Sequence, residues 1–163
     1  MIHFLKIRNV KSPVWDFNEN AGIDFYIPEK DSFTDDELKS LGNIVDNKIE
    51  ILPHSDVNIP SGIKSKFPKN IGLLAVNKSG IATKKRLSVG ACLIDASYQG
   101  EWHLHLINTS DEPQYLEFGT KCVQFMPLVL DTSGCTVTTD ENGFFTKTTS
   151  RGDKGFGNGT GIY

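Results

Sequence analysis

The sequence has few cysteines, no long hydrophobic run and no excess of positive charge. Its three cysteines are odd in number and lack metal-ligand spacing, which predicts free thiols in a reducing compartment. No segment has the length needed to cross a membrane, and residues 1–6 carry no signal-peptide pattern. Lysine and arginine total 17 against 20 aspartates and glutamates, which argues against a broad nucleic-acid surface but leaves room for a small phosphate pocket. We therefore predict a cytoplasmic protein (host cytoplasm if viral) without a membrane or direct nucleic-acid partner.

Short apolar segments between turn residues dominate the 163-residue chain, a length that suits one domain. The predicted strands cover residues 2–7, 23–27, 48–52, 56–59, 71–77, 92–94, 102–108, 115–118, 121–130 and 135–139. One stretch differs, because residues 32–42 combine a capping candidate, acids in the first turn and a closing glycine, which predicts a short helix. The pattern favours an all-β fold, a jelly roll or related sandwich, with a helical insertion.

Five polar clusters stand out from this β pattern. They are AGIDF at 21–25, NKSGIATK at 77–84, VGACLIDASYQGE at 89–101, GTKCVQF at 119–125 and RGDKGFGNGTGIY at 151–163. The last combines an arginine, a phenylalanine and five glycines. Glycines let backbone N–H groups approach an anion, arginine binds phosphate and phenylalanine stacks on a flat ring. This tail therefore predicts a flexible flap over a nucleotide, with a frayed polar terminus as the alternative.

Each internal cluster has a purely structural alternative when taken alone. Asp24 and Asp95 can cap turns, Lys78 can be a solvated surface charge, and Gln124 can be satisfied inside its strand. Tyr98 can be a core residue. The strand histidines, His103 and His105, have no third partner at metal-ligand spacing, which predicts exposed positions and not ligands.

The order of the clusters favours the functional interpretation over these structural alternatives. Taken in order, they resemble the motifs of the trimeric all-β dUTPases. That family carries five motifs, roughly AGxDL, PRSGLA, VGAGVIDxDYRGE, GDRIAQL and RGxGGFGSTG, and the clusters match them in order. The segment PSGI at 60–63 also resembles the family's PTGI. The resemblance runs from about residue 21 to the C-terminus, and an insertion at about 31–47 interrupts it. It implies a distorted jelly roll (β-clip) over residues 1–130 and a C-terminal arm over 131–163 that carries the phosphate-binding tail.

The resemblance implies hydrolysis of dUTP to dUMP and pyrophosphate, which limits uracil in DNA and supplies dUMP. Asp95 matches the carboxylate that activates the attacking water, and Tyr98 matches the aromatic residue that excludes a 2′-hydroxyl. The hairpin from about residue 90 to 98 would contact the uracil edge through its backbone. Asp24 matches the acid that holds Mg²⁺ through water. The substrate-binding positions implied are Lys78, Ser79, Gly80, Gly90, Ala91, Ile94, Tyr98, Gln124, Arg151, Phe156 and Gly157. A homotrimer with shared active sites is implied as well.

The chain departs from the family pattern at four points. Lys78 replaces an arginine and loses its planar fork, Cys92 stands where glycine is common, and Ser97 replaces a second acid. The tail after Phe156 is one residue longer than in the motif. Two alternatives remain. One is a dCTP deaminase of the same fold, which needs a glutamate where this chain has His105. The other is a regulatory protein that senses dUTP.

Overall fold

The computed structural model describes residues 1–16, 18–140, 142–147 and 149. The chain divides into two compact units, Met1–Thr132 and Ser133–Tyr163. Within the described residues, no helix is both long and apolar enough to cross a membrane. The tail residues Arg151, Phe156 and Gly157 lie outside the described residues, so their predicted roles stay predictions.

Regular structure among the described residues is confined to the first unit. Its strands are β1 (His3–Lys6), β2 (Ile23–Tyr26), β3 (Ile44–Val45), β4 (Lys48–Ile51), β5 (Asp56–Pro60), β6 (Ile63–Lys66), β7 (Ile71–Asn77), β8 (Leu87–Val89), β9 (Leu93–Ile94), β10 (His103–Asn108), β11 (Gln114–Glu117) and β12 (Lys121–Val129). The helices are a 3₁₀ helix (Lys30–Ser32), α1 (Asp35–Ser40) and α2 (Ser79–Lys85).

The strands form four antiparallel sheets, which confirms the predicted all-β fold with its distorted jelly-roll arrangement. Their orders are β1-β6, β5-β10-β8, β11-β4-β3 and β2-β12-β7-β9. Neighbours within a sheet are rarely consecutive in sequence, so the chain crosses repeatedly between sheets. The four-stranded sheet brings the sequence clusters together, because β2, β7, β9 and β12 carry residues from four of them.

An aromatic cluster forms the centre of the core. The rings of Phe25 and Trp102 stack with centroids 5.1 Å apart, and Phe125 lies 4.8 Å from Phe25 and 4.9 Å from Trp102. All three residues are at most 1% exposed. Because side chains alternate along a strand, burial of Phe25 and Phe125 turns their neighbours Asp24 and Gln124 to the opposite face of the sheet.

The insertion contains the helix that the sequence predicts. Thr34 and Glu37 form a reciprocal capping box at the start of α1, and Gly42 follows the helix with a φ of +88°. Glu37 also accepts a 2.6 Å hydrogen bond from Arg8, whose guanidinium simultaneously binds Glu101 at 2.7 Å. The insertion is therefore attached to the β core by a two-carboxylate ion pair.

The sequence-based strand assignments are confirmed at nine of the ten predicted segments. The prediction for residues 135–139 is wrong, because these residues have no regular structure and are exposed. Within the described part of the chain, no partner strand supplies a hydrogen-bond ladder to this segment. Strands β3, β6 and β8 and helix α2 were not predicted, since each is short and lacks a clear period.

Candidate functional site

Two lysines, a carboxylate and an amide lie together on the outer face of the four-stranded sheet; we call this group the lysine cluster (Asp24, Lys78, Lys121 and Gln124). Lys121 donates to one carboxylate oxygen of Asp24 at 2.7 Å, and Lys78 donates to the other. Asp24 and Gln124 face each other in the register of β2 and β12. Residues from three sequence clusters therefore meet at one place.

Asp24 is held in its ionised form by these lysines. Burial of the carboxylate raises its pKa, but the hydrogen bonds from Lys121 and then Lys78 outweigh this effect and leave the pKa below its ordinary value. Asp24 reciprocally raises the pKa of Lys121. The side chains of Asp24 and Lys78 are only 18% and 19% exposed, so this charge pairing is partly shielded from water.

A β-bulge explains how Lys121 reaches this face. The register between β12 and β2 shifts between Lys121 and Val123, which leaves Cys122 as the extra residue. Cys122 and Val123 are both buried, although strict alternation would expose one of them. Desolvation raises the pKa of the Cys122 thiol to about 12, so this cysteine is an inert core residue.

Gln124 is positioned by its neighbours on both sides. Its Nε2 donates to the carbonyl of Asn77 at 2.9 Å, at the end of β7. Gly22 allows this placement, since a Cβ there would lie 2.8 Å from Oε1 of Gln124. The glycine of the first sequence cluster thus makes room for the amide of the fourth.

Helix α2 begins directly after Lys78 and presents Ser79 and Gly80 at its first turn. Both residues are exposed, and the intrahelical hydrogen bonds begin one position later, from the amide of Ile81 to the carbonyl of Lys78. A Cβ at Gly80 would meet no atom within 4 Å. The amides and the Ser79 hydroxyl are thus accessible next to the lysine cluster.

A second group of predicted residues lines a pocket of about 260 Å³, which we call the Asp95 pocket. It contains four of the predicted residues, Ala91, Ile94, Asp95 and Tyr98, and the side chain of Asp95 is exposed. The other residues lining it are Asn58, Cys92, Leu93, Glu101, His103 and Phe125. A carboxylate beside a partly apolar wall of this size can hold a base or sugar ring with a water nearby.

The predicted hairpin at this pocket has a different construction. Strand β8 pairs with β10, whereas β9 pairs with β7, so residues 90–92 form a turn between two sheets, which we call the crossover turn. The amide of Gly90 donates to the carbonyl of His105 at 3.0 Å, and the amide of Ala75 donates to the carbonyl of Cys92 at 2.6 Å. The turn is therefore fixed from both sheets.

The tyrosine of the third cluster folds back over its own loop. The amide of Tyr98 closes a turn on the carbonyl of Asp95 at 3.0 Å, and its hydroxyl donates to the carbonyl of Glu101 at 2.9 Å. Gly100 is required beneath the ring, because a Cβ there would lie 2.3 Å from the hydroxyl oxygen. These contacts hold Tyr98 at the pocket with 44% of its surface exposed.

The lysine cluster and the Asp95 pocket lie on opposite faces of β12. Gln124 belongs to the first and the adjacent Phe125 lines the second, and successive side chains of a strand point in opposite directions. Within the described residues, the Asp95 pocket includes none of Asp24, Lys78, Ser79, Gly80 and Gln124. No functional role follows from the sequence for Lys121 or His105, although Lys121 lies within the fourth cluster.

The described residues contain no group of three or more histidine, cysteine, aspartate or glutamate side chains arranged to hold a metal ion. Asp24 offers one carboxylate, and both of its oxygens already accept hydrogen bonds from lysines. This donor set does not fit a metal held by protein ligands alone. It fits an ion held mainly by substrate phosphates, with one carboxylate contact through water.

Comparison with known proteins identifies relatives of this chain. A family model described as dUTPase matches residues 44–160. A curated deoxyuridine 5′-triphosphate nucleotidohydrolase from Desulfitobacterium hafniense (strain DSM 10664 / DCB-2) is 31% identical over 123 residues, which cover 72% of this chain and 76% of that protein.

Two solved structures share the fold. A Staphylococcus bacteriophage 80alpha dUTPase with dUPNHPP matches with a TM-score of 0.75 at 17% identity, over 98% of each chain. A mutant dUTPase from phage phi11 of S. aureus, described with a structural Mg(II) ion, matches with a TM-score of 0.66 at 16% identity, over 86% of this chain and 97% of that one. With a family model that covers most of its length and a relative above 30% identity, the chain belongs to the dUTPase family.

Proposed function

We propose that this protein hydrolyses dUTP to dUMP and pyrophosphate, as a dUTP diphosphatase. The observation that carries the proposal is the position of Asp95 on the wall of one pocket together with Ala91, Ile94 and Tyr98. These residues provide a carboxylate for water activation, backbone groups for the base and an aromatic ring for the sugar. Family membership supports the same reaction.

Asp95 acts as the general base. Its carboxylate takes a proton from a water molecule while the water oxygen attacks the α-phosphorus, and the bond from that phosphorus to the bridging oxygen of pyrophosphate breaks. A positioned base contributes roughly 10²–10⁴-fold to such a step. The exposure of Asp95 supports this role, because a base must reach both solvent and substrate.

The lysine cluster and the start of α2 bind the phosphate chain. Lys78, the Ser79 hydroxyl and the Gly80 amide donate to phosphate oxygens, where negative charge increases on the leaving pyrophosphate. Gln124 contributes an amide held at a defined place by Asn77. Lys121 adds a second cation beside Lys78, which compensates for the arginine fork that Lys78 lacks.

Mg²⁺ is the proposed cofactor. Asp24 would hold it through water, and the substrate phosphates would supply its direct ligands, since Mg²⁺ sheds water reluctantly. When bound, the ion would supply positive charge that neutralises the phosphates and keeps the triphosphate oriented. Because the carboxylate of Asp24 also pairs with Lys78 and Lys121, the same residue balances charge when the phosphates are absent.

We propose a homotrimer with shared active sites. The supporting observation is that Gln124 and Phe125 point to opposite faces of β12, so one triphosphate cannot contact the lysine cluster and the Asp95 pocket of the same chain across that sheet. A copy that offers its lysine cluster to a neighbour's Asp95 pocket completes the site. Such sharing is expected from closed rotational symmetry with head-to-tail contacts.

The C-terminal arm, residues 131–163, completes the proposed site. Arg151 would bind the terminal phosphate, Phe156 would cover the uracil and Gly157 would approach the substrate with its backbone. The reaction places the protein among the enzymes that limit uracil in DNA and supply dUMP. We propose a cytoplasmic location, or the host cytoplasm for a viral source, because that compartment contains the nucleotide pool and keeps thiols reduced.

The deaminase alternative has less support. His105 stands where that reaction needs a glutamate, and both of its ring nitrogens are engaged, with the amide of Ala91 at 2.7 Å and Asp56 at 2.9 Å. His105 is also outside the lining of the Asp95 pocket. The dUTP-sensing alternative predicts binding without turnover, which the following experiment distinguishes.

The purified protein should be incubated with each deoxynucleoside triphosphate and Mg²⁺, and the products separated by ion-exchange chromatography. We expect dUMP and pyrophosphate from dUTP alone. Release of ammonia from dCTP would establish the deaminase, and saturable dUTP binding without any product would establish the sensor.

Asp95→Asn tests the catalytic assignment. We expect kcat to fall by at least about 10²-fold while the Kd for a non-hydrolysable dUTP analogue changes little, because the amide keeps the shape but loses the base. Asp46→Asn is a matched control, since Asp46 lies outside the pocket and its φ of 50° is one that asparagine tolerates. Equal kcat values for both variants would show that Asp95 is not the base.

A further inference from the structure

His105 accepts hydrogen bonds from two residues of the crossover turn. Its Nδ1 accepts a hydrogen bond from the amide of Ala91 at 2.7 Å, and its backbone carbonyl accepts one from the amide of Gly90 at 3.0 Å. A Cβ at Gly90 would lie only 2.2 Å from Nδ1, so the imidazole packs directly against the Cα of this glycine. One residue of β10 therefore fixes two consecutive residues of the turn.

The tautomer of His105 follows from these contacts. Since Nδ1 accepts from Ala91, the ring proton is on Nε2, which donates to Oδ2 of Asp56 at 2.9 Å. Asp56 is located on β5, next to β10 in the sheet. The result is a hydrogen-bonded chain from a carboxylate through an imidazole to a backbone amide, analogous to the carboxylate–histidine pairs that orient groups in many active sites.

The chain of contacts ends at the wall of the Asp95 pocket. Ala91 and Cys92 of the crossover turn line that pocket, whereas His105 lies behind them. A site that recognises a base by backbone groups depends on their exact placement, because the wrong base must leave polar groups unpaired. Displacement of these backbone groups by about 1 Å can lower the rate at such a site on the order of 100-fold.

We propose that His105 is a positioning residue that selects uracil over cytosine by fixing the crossover turn, with Asp56 orienting the imidazole. This inference rests on the proposed function, in which the turn contacts the base. His105 does not touch the substrate itself. Its role was missed by sequence analysis, which predicted an exposed strand position.

Two amide substitutions separate the positioning role from simple strand packing. In His105→Asn, Oδ1 occupies the place of Nδ1 and can still accept from Ala91, whereas in His105→Gln the amide extends to the place of Nε2, toward Asp56. His105→Val removes both contacts but has the higher β propensity. If His105 only supports the strand, His105→Val should keep the most activity and selectivity. If His105 positions the turn, His105→Asn should keep the most.

The experiment measures kcat and KM for dUTP and dCTP in the wild-type protein and these three variants. For Val and Gln, we expect KM for dUTP to rise and the dUTP-over-dCTP preference to fall by about tenfold, the equivalent of one hydrogen bond of about 1.4 kcal/mol. His105→Asn should remain within about threefold of the wild type. His54→Asn, at a 2.8 Å histidine–aspartate contact outside the pocket, is the control that should change neither constant.

Two measurements that need no turnover keep this inference separate from the proposed reaction. Amide hydrogen exchange at Ala91 should be slow in the wild type and the Asn variant and fast in Val and Gln. Calorimetric binding should show the same ranking for the preference of dUMP over dCMP.

If the wild type hydrolyses dUTP but all three variants keep its selectivity and exchange rate, the inference is wrong and the proposed function stands. If the wild type prefers dUMP in a His105-dependent way but hydrolyses nothing, the function is wrong and the inference stands; absence of any uracil preference would overturn both.

Discussion

Replacing Arg8 by methionine should lower the free energy of unfolding by more than the loss of an exposed ion pair would. The guanidinium donates to Glu101 at 2.7 and 2.9 Å, to Glu37 at 2.6 and 3.0 Å, and to the carbonyl of Ser32 at 3.0 Å. The ring of Phe33 lies 5.3 Å from the guanidinium carbon. Methionine retains much of the apolar stem but none of these donors.

The magnitude follows from the exposure of the partners. The side chains of Arg8 and Glu101 are 14% and 15% exposed, so neither the exposed nor the fully buried limit applies. Exposed pairs contribute about 0.2–1 kcal/mol, and breaking a buried pair costs about 3–5 kcal/mol because the remaining charge is unpaired. Glu101 would keep its 2.7 Å bond from the amide of Gly62. We therefore expect a loss of about 2–3 kcal/mol, an intermediate value on those scales.

Urea unfolding at fixed protein concentration measures this loss, and the thermal midpoint should fall by about 4–12 °C for a chain of this size. Lys39→Met is the matched control, because it removes a cation from an ion pair on the same insertion whose side chains are 77% and 94% exposed. That variant should lose less than about 0.5 kcal/mol. Equal small losses in both variants would show that partial burial does not strengthen the contacts of Arg8.

Three further predictions concern acid stability, the phosphate site and the tail. The hydrogen bond from Arg8 lowers the pKa of Glu37 from 4.5 to about 2. The stabilising effect of this ion pair is therefore present above about pH 4.5 and is lost as the pH falls toward 2. The urea midpoint of Glu37→Gln should change less with pH over that range than the midpoint of the wild type. Gly22→Ala should displace Gln124 and lower kcat/KM for dUTP by about tenfold, and an unchanged kcat/KM would show that the amide is dispensable. Deletion of residues 151–163 should abolish most activity without changing the thermal midpoint, and full activity of the truncated protein would contradict the closing role of the tail.

Much of the site could be predicted from the sequence where the relevant physics is local. Period-two alternation identifies Phe25 and Phe125 as inward-facing, so Asp24 and Gln124 must face outward. Capping residues and a closing glycine likewise identify helix α1, because a helix end must satisfy its own backbone groups. These features depend on neighbours in sequence, and one chain is enough to recognise them.

The features that were missed depend on register and on distant partners. Lys121 reaches Asp24 only because a bulge at Cys122 reverses the expected alternation, and no residue type marks that bulge. Arg8 and Glu101 are separated by 93 positions. His105 meets the amide of Ala91 because β8 pairs with β10, a choice made by the whole sheet arrangement.

The two lysines around Asp24 illustrate how stability and function would depend on each other at the proposed phosphate site. Two ammonium groups placed together for a triphosphate would repel each other and destabilise a substrate-free protein. Asp24 accepts from both, which balances one of the two charges and holds the donors close to where phosphates would bind. Incoming phosphate oxygens can then replace the carboxylate as acceptors, so the lysines need little reorganisation. A carboxylate at this position is therefore expected on electrostatic grounds alone, and any contact with Mg²⁺ through water would be a second use of a charge that the fold already requires.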